Sequence, residues 1–278
     1  MVSTATTIAC LITVFVTLVF PVILLIVYAA KNKSQGVVSA WFLGAAGFFV
    51  TQILIRVPIL TVLSATEGYA TLYSDHPLLL TFLLAFTAGL FELVGRFGAA
   101  KLMSKRLTYR RSLAAGLGHG GIEAIVLIGM TYVSNLALIS MINTGAFDVM
   151  LAETAATGMD VTQLEMIRAQ LVGYPPSIFL LASLERLLTM AAHAAMSMIV
   201  CYSLHAGHIW KGLLLCLGLH TLLDCTTVFG LLFNQGKPSQ GVAYGISYLL
   251  LGVAAALSIV VLKGIRRRWP DPTEEAVR

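Results

Sequence analysis

SLAAGLGHGGIEAIVLIGMTYVSNLALISM, residues 112–141, is long and apolar enough to cross a bilayer, yet it carries His119 and Glu123. A transmembrane helix needs about 20 apolar residues. A charge at the bilayer centre costs at least about 2.5–3.5 kcal/mol on insertion scales, so such residues face one another or a wet cavity rather than lipid. The H-x-x-x-E spacing sets imidazole and carboxylate one turn apart on one helix face. Gly116, Gly118, Gly120 and Gly121 remove side chains around the histidine. That permits close helix approach or access to backbone groups. A plain packing face would explain the glycines but not the acid and the imidazole. No G-K-[ST] ending follows, so the stretch is not a phosphate loop.

Three more apolar segments are loaded in the same way. FELVGRF places Glu92 and Arg96 at i,i+4, ERLLTMAAH holds Glu185, Arg186 and His193, and HTLLD pairs His220 with Asp224. Each has a bland reading beside the functional one. Glu92 and Arg96 can neutralise each other within a helix, with Arg96 snorkelling to the surface. Glu185 and Arg186, adjacent and so about 100° apart, each suit a partner on another helix. His220 and Asp224 can be a satisfied polar pair, or the carboxylate can fix the ring's tautomer. Arg56 is a lone charge beside Pro58, suited to pairing with an acid or lining a cavity.

The 278-residue chain is 58% hydrophobic and 11% charged. Soluble domains carry about 25% charged residues, so this is an all-α polytopic membrane bundle. Seven spans are expected, at 6–30, 38–64, 77–100, 112–141, 177–204, 211–233 and 240–263. Residues 1–265 read as a single transmembrane domain with its polar core in 77–233, and 266–278 as a basic, then flexible, cytoplasmic tail. The first apolar run extends beyond the roughly 7–15 residues of a signal peptide's apolar region, and it reads as a retained span. Pro21 and Pro58 predict kinks. A surface helix is expected over Val161–Val172 in the connection 143–176.

Positive charge collects in alternate connections: Lys31 and Lys33, then Lys101 to Arg111, Lys211, and Lys263 with Arg266 to Arg268. Lys237 alone dissents, in a short outer connection. The positive-inside rule then puts the N-terminus outside and the C-terminus in the cytoplasm. The net charge of +5 reflects topology, not nucleic-acid binding. Trp41, Trp210 and Trp269 read as interface anchors, and His205 and His208 as interfacial. The four cysteines fall in apolar segments at no zinc-ligand spacing and read as packing residues.

Depth links the loaded segments. Counted from the cytoplasmic ends, Glu92, His119, Glu123, His193, His220 and Asp224 fall about seven to thirteen residues in, a layer roughly 10–20 Å deep at 1.5 Å per residue. Glu185 and Arg186 lie about two turns further out, as a supporting tier. One layer of acids and imidazoles suits hydrolysis by a glutamate-activated water, with histidines stabilising the oxyanion. It also suits a zinc site on His119, His193 and His220, although H-E-x-x-H is absent. A proton-coupled transporter could use the same groups as a relay, but no inverted repeat is visible.

FELVGRF, GLGHGGIEAI, ER…H and HTLLD, in that order, resemble the YhfC family of intramembrane proteases, relatives of the type II CAAX prenyl endopeptidases and of PrsW. The resemblance covers about residues 80–230. It implies a glutamic-type peptidase with no cofactor, its site inside the bundle and open to the cytoplasm. By resemblance, His193 matches the second motif's histidine, and His220 with Asp224 the third motif. The wider superfamily has paired glutamates before the arginine. Here only Glu92 is acidic and Leu93 follows it, so Glu92 and Glu123 both stand as candidate bases, with Arg96 and Arg186 as structural partners. The expected partners are the lipid bilayer of the cell membrane and a membrane-associated peptide or protein substrate.

Overall fold

A computed structural model describes residues 1–33, 35–228 and 239–269. The expectations for Lys237, for the end of the sixth span and for the tail from residue 270 lie outside the described residues. Ten α-helical elements follow one another among those described. They are α1 (Thr4–Lys31), α2 (Val37–Ser64), α3 (Glu67–Asp75), α4 (Pro77–Leu102), α5 (Tyr109–Thr144), α6 (Ala146–Ala156), α7 (Thr162–Gly173), α8 (Pro176–His205), α9 (Ile209–Asp224) and α10 (Gln240–Arg268). No strand occurs among the described residues. Six helices, α1, α2, α4, α5, α8 and α10, are long and apolar enough to cross a membrane. The protein is a multi-pass helical membrane protein, as its composition requires. The sixth expected span begins as α9, whose described part has 16 residues.

Both prolines sit within continuous helices. A wide π-type segment precedes each one, Phe15–Val19 before Pro21 and Phe49–Arg56 before Pro58. Proline lacks an N–H and crowds the carbonyl four residues back. Those carbonyls belong to Thr17 and Leu54, inside the widened segments. A third π-type segment, Ala124–Gly129, starts directly after Glu123. The connection 143–176 holds two helices where one was expected, and α3 was not foreseen. Residues 67–75 and 146–156 have too little apolar periodicity to stand out in sequence.

The chain packs as two compact units. One comprises Met1–Ile23 and Ala124–Leu187, the other Leu24–Glu123 and the described part of Leu188–Arg278. In the first, Val2, Cys10, Tyr132, Ile139, Phe147, Leu171 and Phe179 form the core. Polar tethers stitch it: Thr13 Oγ1 donates to the Phe179 carbonyl at 2.9 Å, and the Tyr132 hydroxyl donates to the same oxygen at 3.1 Å. Glu185 and Arg186 belong to this unit, and Arg186 Nη2 donates to Glu185 Oε1. The two adjacent long side chains curl together as an ion pair.

The second unit holds α2, α4, the first part of α5 through Glu123, the later part of α8, α9 and α10. Residues Ala192–Cys201 of α8 are buried at every position, each with under a tenth of its surface accessible. A helix covered on all faces is a central helix. α2 lies against α5 with backbones nearly touching. A Cβ added to Gly118 would strike the Trp41 carbonyl, and one added to Gly44 would strike that of Ala115. Small residues thus set the interhelical distance. This approach also buries Trp41 at 6% exposure, and Trp269 is 7% exposed. Neither is an interface anchor; only Trp210, 76% exposed, fits that role. Trp269 instead stacks on His205, centroids 4.5 Å apart.

Gly118→Val is expected to lower stability by at least about 1–3 kcal/mol through overpacking. Gly98→Ala, with nothing within 4 Å of the added methyl, is expected to leave stability unchanged or slightly raised. Thermal unfolding of both purified variants in detergent checks the pair; equal melting points would contradict the close-approach account.

Candidate active site

Glu92 is the hub of the second unit. It lies on the buried face of α4 with 4% of its surface exposed. Its Oε2 meets Arg96 Nη2 at 2.9 Å, His119 Nε2 at 3.0 Å and His220 Nε2 at 2.7 Å. Its Oε1 accepts from Gln52 Nε2 at 2.7 Å. Four helices, α2, α4, α5 and α9, therefore converge on one carboxylate. An ionised carboxylate only accepts, so each of these contacts uses an N–H of the partner.

α8 adds His193 at the centre. Its Nδ1 lies 2.5 Å from Arg96 Nη2 and 3.6 Å from Glu92 Oε2. Its Nε2 lies 2.8 Å from Glu123 Oε2. A guanidinium only donates. Nδ1 must therefore accept, which puts the ring proton on Nε2, the nitrogen nearer Glu123. The three imidazoles pack in a row. His193 is stacked on His119 and edge-on to His220, each with centroids 5.5 Å apart. Phe48 closes the far side of His119, edge-on at 5.3 Å. Gly120 makes room for this row, since its Cβ would stand 3.1 Å from that of His193. His220 Nδ1 lies 3.3 Å from Asp224 Oδ2, one turn along α9.

All six residues of the expected layer, Glu92, His119, Glu123, His193, His220 and Asp224, thus belong to one connected group. Arg96 is 3% exposed and holds Glu92 and His193 together, so it does not snorkel. Glu185 and Arg186 lie in the other unit, paired as described. One residue of the group was missed. Gln52 was passed over because an amide carries no charge. Its spacing of four from Arg56 was the available signal, since Arg56 Nη1 donates to Gln52 Oε1 at 3.4 Å. Arg56 also donates to the Leu84 carbonyl at 2.7 Å. The second expected span thereby joins the polar group.

The group also offers a metal-type donor set. Glu92, His119, Glu123 and His193 each present a ligand atom, all within 4.8 Å of one another. Two imidazoles with carboxylates suit zinc. By donor type the residues fit such an ion. The quartet has both glutamates where the sequence reading had His220.

Comparison with known proteins bears on this geometry. The family model described as YhfC intramembrane metalloprotease matches residues 15–247. The chain belongs to the YhfC family. It is also 30% identical over 241 residues to the "Uncharacterized membrane protein YhfC" of Bacillus subtilis (strain 168), covering 84% of this chain and 88% of the relative. No solved structure matches. Membership in a YhfC family described as intramembrane metalloproteases supports a membrane-embedded peptidase, and the buried Glu/His group is one that could bind a metal.

Glu92→Gln is expected to destabilise the protein by about 3–5 kcal/mol, because it leaves Arg96 buried beside a neutral partner. Gln52→Leu removes one donor and is expected to cost about 1–3 kcal/mol. Unfolding midpoints of the two variants rank them. A Glu92→Gln protein as stable as wild type would contradict the hub.

Proposed function

We propose that this YhfC-family chain hydrolyses a peptide bond of a membrane-associated peptide or protein, with Glu123 as general base and Glu92 as the anchor of the site. The observation that carries the choice is the contrast between the two acids. Glu92 has both oxygens engaged, by Gln52 on one side and by Arg96, His119 and His220 on the other. Glu123 faces the proton-bearing nitrogen of His193 and has the more accessible side chain, 10% against 5%. A base has to reach water, and the more accessible carboxylate is the better placed to do so.

In this reading Glu123 takes a proton from a water whose oxygen bonds to the scissile carbonyl carbon. The carbonyl oxygen becomes an oxyanion, stabilised by the Nε2–H of His193, which Glu123 no longer claims once it holds the proton. Asp224 orients the His220 ring, as a carboxylate one turn away does. Glu123 then returns the proton to the leaving amine as the carbon–nitrogen bond breaks. Arg96 keeps His193 in the tautomer that faces Glu123. The cytoplasmic opening of the site, and the N-out, C-in topology, rest on the positive-inside bias of the connections.

A metal-assisted version is favoured by the compact donor quartet and by the family's description. Glu92, His119, Glu123 and His193 would hold the ion, and when bound it would supply Lewis-acid polarisation of the carbonyl and an acidified water. The residues' own work, orienting the donors and handling the proton, is then shared out among His220, Asp224 and Arg96.

Purified protein in liposomes, presented with a membrane-peptide library, tests the proposal. Glu123→Gln is expected to lower kcat by about 10²–10⁴ while leaving the unfolding midpoint near that of wild type. Full activity in Glu123→Gln would remove Glu123 as base. For the metal version, chelator treatment is expected to abolish cleavage and added zinc to restore it, with stoichiometric metal detected by elemental analysis. Cleavage that survives chelation in metal-free protein assigns the chemistry to the glutamate alone.

A further inference from the structure

A second polar cavity lies apart from the Glu92 group. It has a volume of about 550 Å³. Three of the lining residues are permanent cations, Lys105, Arg106 and Arg111, and none is an acid. Gln35, Ser104 and Thr108 add neutral donors. Leu107 and Leu204 supply an apolar side.

The site has features that a topological run of basic residues does not need. Gly36 adopts φ +65°, and the Arg111 guanidinium lies directly over it, where a Cβ would collide. Arg111 Nε is buried with no hydrogen-bond partner among the described residues. A buried guanidinium N–H without an acceptor is costly. Gathering three like charges around one cavity is costly too, unless an anion enters. Arginine's fork matches phosphate oxygens. A cavity of this volume accommodates a small organic anion and not merely a bare ion. Its place at the ends of α4 and α8 and the start of α5 is the face that the positive-inside bias assigns to the cytoplasm, at headgroup level.

We propose that this cavity binds a phosphate-bearing anion through Arg106, Arg111 and Lys105. The expected source is the headgroup of an anionic phospholipid, with Leu107 and Leu204 against its glycerol end. A free phosphate would use the same donors.

Native mass spectrometry of the protein released from mixed phosphatidylcholine and phosphatidylglycerol vesicles tests this. Wild type is expected to retain phosphatidylglycerol in preference to phosphatidylcholine. Arg106→Gln with Arg111→Gln is expected to lose that preference at least tenfold. Arg267→Gln with Arg268→Gln, an equal loss of charge outside the cavity, is expected to keep it. Because Arg111 is partly buried and packs over Gly36, Ser104→Glu serves as the second variant. Ser104 is exposed, and a carboxylate there repels an anion without removing a packed side chain. Displacement of the lipid by inorganic phosphate at equal concentration would support the cavity with free phosphate as its source. Equal retention in all variants, or loss in proportion to net charge wherever the cations lie, would overturn the proposal.

Discussion

A carboxylate placed inside an apolar bundle has to be matched there, and Glu92 is that carboxylate. Hydrocarbon offers it nothing, so every stabilising donor must come from protein. The response is distributed over the fold. α2 contributes Gln52, α4 contributes Arg96, α5 His119 and α9 His220, each within 3.0 Å of a Glu92 oxygen. Removing any of these helices would strand a charge. The polar hub thereby specifies which helices must be neighbours, a task that apolar packing alone performs poorly in lipid.

Convergence of that kind demands thin helices. Side chains as short as those of His119 and Glu92 meet across two helices only if the backbones come close. Glycines at 44 and 118 provide that approach between α2 and α5, and Gly120 does so against α8. The wide segment Ala124–Gly129 then begins at the residue after Glu123. Such bulges concentrate at functional sites. Here the change of pitch falls where the first half of α5 has finished presenting His119 and Glu123.

Much of this was legible in the sequence, for a physical reason. Ionisable residues are so expensive in apolar spans that their positions stand out, and i,i+4 spacing reveals which share a face. Glu92, His119, Glu123, His193, His220 and Asp224 were visible on those grounds, and the structure brings them together. What stayed hidden was cheap or local. Gln52 is uncharged, so it raised no alarm in an apolar stretch. Trp41 and Trp269 follow the composition of interface anchors but are covered, because burial depends on neighbours that spacing does not encode. The helices at 67–75 and 146–156 lack the periodicity that marks an element.

The central claim is that the imidazole–carboxylate group of this YhfC-family protein adds water to a peptide bond within the membrane. Cleavage of a membrane-embedded peptide in heavy-oxygen water, read by mass spectrometry of the products, tests it most directly. The account predicts heavy oxygen in the new carboxyl end with wild type, and intact peptide with Glu123→Gln. Intact peptide with wild type across a broad peptide library, or labelled product from Glu123→Gln at the wild-type rate, would contradict it.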